Sequence, residues 1–106
     1  MEFISYNDVN VLTTEQLSNL FNVEKKIVTK NFLRNKERYV EGEHYFVLTK
    51  ELLKDFKKLL GNPDYMKFIS TLYLWTEKGC MLHAKSCKSE EAWKIFEKEE
   101  LNSLGG

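Results

Sequence analysis

The feature that most constrains this chain is a pair of adjacent helical signals with a stop built between them, at residues 13–36. Thr13 and Gln16 stand three apart. At that spacing a threonine hydroxyl accepts from a backbone amide in the first turn, and the glutamine side chain reaches back to the threonine amide. Leu17, Leu20 and Phe21 follow at helical spacing. Asn22 and Val23 break this helix, and asparagine tolerates the left-handed backbone that a tight turn between helices needs. The spacing predicts a second helix from about Glu24 to Lys36, with Glu24 complementing the helix dipole at its start. Val28 and Phe32, four apart, form its inward stripe. Lys26, Thr29, Lys30, Leu33 and Arg34 project to the other side.

The formal net charge of the 106 residues is zero, which taken alone speaks against a polyanionic partner. The distribution reverses that impression. Residues 1–24 carry −4 and no basic side chain. Residues 25–38 carry Lys25, Lys26, Lys30, Arg34, Lys36 and Arg38 against Glu37, a local charge of +5. Residues 89–101 return to −3. A phosphate backbone responds to the local field, not to the total. In a helix-turn-helix the second helix enters the major groove and its first turns face base edges. Lys25, Lys26, Thr29 and Lys30 occupy those turns. Lysine donates to guanine acceptors, and a threonine methyl meets a thymine methyl. Arg34, Lys36 and Arg38 come later and are expected to grip phosphate.

The rest of the chain supplies the frame. Residues 3–6 and 9–12 are β-prone runs around an Asn7-Asp8 hairpin turn. Residues 38–48 are β-rich with Gly42 at a turn, and read as a wing-like loop followed by a strand. Thr49 is expected to cap a third helix over 50–60, with Leu52, Leu53, Phe56, Leu59 and Leu60 on its apolar side. Gly61-Asn62-Pro63-Asp64 is the strongest loop signal. Residues 69–75 form a further β-rich run. Thr76 is expected to cap a fourth helix ending near Ser86, and Ser89 a fifth carrying Ala92, Trp93, Ile95 and Phe96. The expected fold is α+β: a winged helix-turn-helix with small β-hairpins and a helical C-terminal subregion. It forms a single domain over 1–106, with a core at about 9–60 and a strand and two helices at about 68–104. The Leu104-Gly105-Gly106 end reads as a frayed terminus or the start of a linker to the rest of a longer regulator.

Other chemistries find little support. Apolar runs are too short to span a bilayer, so no membrane partner is expected. Cys80 and Cys87 fall about 10 Å apart on one expected helix, too far for a disulfide, and read as reduced thiols of a cytoplasmic protein. With His83 they share a helix face. Structural zinc wants four ligands, usually with a paired Cys-x-x-Cys, which is missing. No metal or cofactor is expected, and His83 reads as a hydrogen-bonded core histidine. No orienting acid accompanies a cysteine–histidine pair, no glycine-rich phosphate loop occurs, and no enzyme activity is expected. Tyr39, Tyr45, Phe46, Tyr73, Trp75 and Trp93 read as core side chains in preference to a stacking platform for single strands.

Residues 11–48, from Val-Leu-Thr-Thr-Glu-Gln-Leu through Asn31-Phe32-Leu33-Arg34-Asn35-Lys36 to Glu41-Gly42-Glu43-His44-Tyr45-Phe46, resemble the phage Orf-six N-terminal domain, which is akin to the KilA-N and Bro-N domains. The similarity resumes at Leu72-Tyr73-Leu74-Trp75-Thr76-Glu77-Lys78-Gly79 and at Leu82-His83-Ala84-Lys85-Ser86, and ends with Ala92-Trp93. The resemblance implies a DNA-binding front domain of phage or prophage regulators, including antirepressor-like proteins. Its matching basic and polar positions are Lys30, Asn31, Arg34, Asn35 and Arg38, while Leu33 stands where a polar residue is expected. The expectation is therefore a sequence-specific double-stranded DNA-binding module, working near the nucleoid of a bacterial host. A homodimer would place half-sites about 34–36 Å apart. The alternative is an antirepressor module that binds a phage repressor protein without touching DNA.

Overall fold

Strand alternation decides the architecture. The computed structural model describes residues 3–86, in which β1 (Ile4–Tyr6) and β2 (Val9–Thr13) form an antiparallel hairpin, Ile4 opposite Val11 and Tyr6 opposite Val9. Asn7 and Asp8 both take positive φ, 50° and 64°, as a two-residue turn matched to strand twist requires. β3 (Tyr45–Thr49) and β4 (Thr71–Thr76) complete an antiparallel sheet of order β1-β2-β4-β3. β4 is thus central, and its Trp75 lies between Leu12 of β2 and Tyr45 of β3.

Successive side chains point to opposite faces. Leu12, Tyr45, Tyr73 and Trp75 face one side, beneath α1 (Thr14–Phe21), α2 (Lys25–Arg34) and α4 (Glu77–Ser86). Val11, Leu48, Leu72 and Leu74 face the other, where α3 (Lys50–Leu59) covers them with Leu53 and Phe56. The described residues are therefore α+β in three layers, with an apolar cluster on each side of one sheet.

The expected local signals are present. The Gln16 amide donates to Thr13 Oγ1 at 3.1 Å, and Gln16 Oε1 accepts from the Thr13 amide at 2.9 Å. Asn22 ends α1 in the left-handed conformation, φ 54°. α2 begins three residues later with Glu24 as its N-cap residue. Thr76 Oγ1 accepts from the Gly79 amide at 3.1 Å and so caps α4.

Some expectations change. Leu53, Phe56 and Leu60 meet the sheet, but Leu52 and Leu59 are 59% and 72% exposed. Both pairs of leucines share the same spacing of seven, and the second lies one helical step round from the first. Thr49 stands at the N-cap position of α3 without a side-chain hydrogen bond. The strand expected after the loop of residues 38–48 is β3, and Tyr39 and Tyr45 on either side of the loop are buried as expected, but the turn between them is clasped to the start of α4. The Thr76 amide donates to the His44 carbonyl at 3.1 Å, and the Thr76 hydroxyl to the Glu43 carbonyl at 2.8 Å. The expected fifth helix, with Trp93, lies outside the described residues, as do Cys87 and the Gly-Gly end.

Gly79 makes that clasp possible, because a Cβ there would run into the His44 carbonyl. Gly79→Ala must therefore push the turn away from α4. The expected cost is roughly 1–3 kcal/mol of overpacking, measured as a lower urea midpoint with an unchanged slope.

Candidate nucleic-acid interface

α2 is fixed to the sheet by one ring. Phe32 contacts Tyr39, Tyr45, Tyr73 and Trp75 edge-on, with centroids 5.0–5.4 Å apart. Val28, one turn earlier, is buried beside Leu17 and Phe21 of α1. With this stripe inward, Lys26, Thr29, Lys30, Leu33 and Arg34 are all exposed, and Leu33 is 61% accessible.

The basic residues expected at the site divide into two groups. Lys25 pairs with Glu15 of α1 at 2.8 Å, and Lys26 with Glu24 at 3.1 Å. Both pairs are exposed, so each is worth at most about 1 kcal/mol and yields easily to a stronger anion. Among the described residues, Lys30, Arg34, Lys36 and Arg38 make no ion pair. Lys36 and Arg38 lie in a 3-10 turn that continues the basic surface beyond α2.

At the C-terminal end of α2 a groove of about 290 Å³ opens between α2, this turn and α4. Asn31, Arg34, Asn35 and Arg38 line one side, and Leu82, Lys85 and Ser86 the other. Asn35 is partly committed to structure, since its Nδ2 donates to the Asn31 carbonyl at 2.9 Å. Lys85 reaches this groove only through the packing of α4 against α2, so no spacing within 25–38 points to it. The concavity can hold an anion between cations of two separate helices.

α4 is held there by His83. Its ring packs against Trp75, with centroids 4.3 Å apart, and against Tyr39 at 5.2 Å. His83 is a core residue, as expected, and its Nε2 is buried with no hydrogen-bond partner among the described residues. Burial holds the imidazole down, from 6.5 to about 3. Burial also raises the Tyr39 hydroxyl well above the usual tyrosine range, helped by Cys80 and opposed by Ser86. Burial, with Glu41 and Tyr73 adding to it, raises Tyr45. Among the described residues no cluster of three or more metal-ligating side chains forms. No described helix is long and apolar enough to cross a membrane.

The family model for the ORF6N domain matches residues 1–86. The chain belongs to the ORF6N domain family. No curated protein and no solved structure matches it. The matched region of this ORF6N domain contains the whole described sheet and all four helices around it.

The buried histidine sets a pH dependence. Below its ordinary pKa of 6.5 the unfolded chain takes up a proton that the folded chain refuses until about pH 3. Stability is therefore fully present above pH 6.5 and is lost as pH falls towards 3. The gap corresponds to roughly 4–5 kcal/mol at its limit. His83→Leu is expected to flatten the dependence of unfolding free energy on pH across that window, followed by urea titration from pH 7 to 4. An unchanged slope would mean that His83 is not the group responsible.

Proposed function

We propose that this ORF6N domain is a double-stranded DNA-binding module of a phage-type transcription regulator, with α2 in the major groove. The observation that supports this best is the outward stripe of α2. Lys26, Thr29, Lys30 and Arg34 lie on one exposed face, and the anchored Phe32 fixes its angle. Arg34 belongs both to that surface and to the groove that Arg38 and Lys85 also line. Lys26, Thr29 and Lys30 would meet base edges, and Arg34, Lys36 and Arg38 would meet phosphates. Lys25, held by Glu15, serves the junction of α1 and α2 as well as the field. Leu33 sits inside the stripe with no polar function and offers methyl groups to a thymine. The local charge of +5 over residues 25–38 gives the sequence-independent part of the attraction.

A protein ligand would seek the same face for the exposed Leu33. Salt separates the two readings. With about four to six phosphates contacted, the logarithm of duplex affinity should fall with log salt at a slope of about −4 to −5. Titration of a mixed-sequence duplex with the full chain, from 50 to 300 mM salt, measures it. Affinity that stays flat across the series would sink the groove-insertion reading. At a selected site, Lys30→Ala is expected to cost roughly 1–3 kcal/mol and relax sequence preference, and Arg38→Ala to weaken all sequences alike.

A further inference from the structure

The loop between α3 and β4 lies at the same end of the sheet as the first turns of α2. Lys25 and Thr29 of α2 share one concavity, about 320 Å³, with Tyr65, Met66 and Ile69 of that loop. Ile69 also lines a second concavity of about 430 Å³ on the other side of the loop. Four lysines of α3 surround that one, Lys50, Lys54, Lys57 and Lys58, and no acidic residue lines it. The loop is braced, because Lys57 Nζ donates to the Ile69 carbonyl at 2.7 Å. Its tip carries Phe68, 91% exposed, with the Lys67 ammonium 5.6 Å from the ring centroid.

Lys57 braces the loop, but the other three lysines of the concavity and the bare phenylalanine are not accounted for by folding. Clustered ammonium groups repel one another, and an exposed aromatic ring gains nothing in water. Next to a nucleic-acid backbone both change sign. The lysines neutralise phosphates and release counterions, and an apolar side chain can lie against sugars or wedge a base step from the minor groove. The described residues extend 38 Å in their longest dimension, about one turn of duplex at roughly 34 Å.

We propose that the lysine row of α3 and the loop carrying Phe68 form a second contact with the duplex, at the groove adjacent to the one α2 enters. This rests on the reading of α2 as the major-groove element. The loop follows α3, leads into β4 and shares a concavity with the first turns of α2, so it would supply the flanking contact expected of the wing-like loop before β3.

The test compares the full-length chain with Lys54→Ala/Lys58→Ala, Phe68→Ala and Lys26→Ala/Lys30→Ala, on a mixed-sequence 30-base-pair duplex over a salt series. The exposed positions chosen leave the core intact, and thermal unfolding confirms it. The α3 double variant should bind more weakly, with a salt slope about two smaller than that of the unaltered chain. Phe68→Ala should weaken binding with the slope unchanged, since no charge is lost. If either behaves as the unaltered chain while Lys26→Ala/Lys30→Ala loses affinity, the second contact is overturned and the α2 reading stands. If none of the three changes binding, or the unaltered chain does not bind the duplex, both fall. Vesicles of phosphatidylserine and phosphatidylcholine complete the test. Binding to them that is lost in the α3 and Phe68 variants, with duplex affinity untouched, would assign this face to a membrane and overturn the proposal.

Discussion

Everything the exposed face of α2 can do depends on Phe32. Its ring sits edge-on among Tyr39, Tyr45, Tyr73 and Trp75, which come from the turn after α2 and from the two strands β3 and β4. Edge-to-face pairs are directional, each worth about 0.5–1.5 kcal/mol beyond the area they bury. Four of them around one ring fix the rotation of a ten-residue helix about its axis, as a greasy contact of equal area would not. A rotation of one residue, about 100°, would bury Leu33 and turn Lys26 and Lys30 out of line. The charge stripe is thus a consequence of aromatic geometry.

The same cluster carries the third helix of that layer. Trp75 meets His83 on its far side, and Tyr39 meets both. The histidine donates no polar contact through Nε2, so it serves here as a flat aromatic body, stable only while neutral. Its placement brings Lys85 over the end of α2. The clasp of Thr76 and Gly79 on the 43–44 turn sets where α4 starts. The basic groove is therefore assembled from segments some fifty residues apart, and no local stretch of sequence encodes it.

That separation explains what could be read in advance. Thr13, Gln16 and Asn22 act within a few residues of themselves, and their capping and turn geometry were legible. So was the inward stripe of Val28 and Phe32, because a helix repeats every 3.6 residues wherever it packs. The strand at the end of the β-rich run 38–48 was legible too, but its partner was not, because β3 pairs with β4, whose Trp75 lies thirty residues on from Tyr45. Leu52 and Leu59 were assigned inward for a related reason. Two leucine pairs at equal spacing compete for the sheet, and only the sheet's shape decides between them. The exposed residues of α2 were legible as a stripe, whereas the placement of Lys85 beside α2 and the lysine concavity of α3 needed the tertiary structure.

The balance of charge across the chain has a physical rationale once these distances are known. A net charge of zero limits self-repulsion in the folded domain, which would otherwise cost stability. The acids, however, are kept near the ends of α2 and away from its middle. Glu15 and Glu24 hold only Lys25 and Lys26, in exposed pairs. In water such pairs contribute little, so an approaching polyanion can replace each carboxylate at small cost. Lys30, Arg34 and Arg38, which make no ion pair among the described residues, need no such exchange there. The ion-paired lysines thus stand at the first turn, where base edges would be read in the proposed complex, and Arg34 and Arg38 stand at the far end, beside the groove. Strong phosphate contacts fix register, and weaker, shorter-range contacts discriminate. In the proposed complex, a gradient of this sign along α2 would keep the non-specific attraction from overwhelming the specific one.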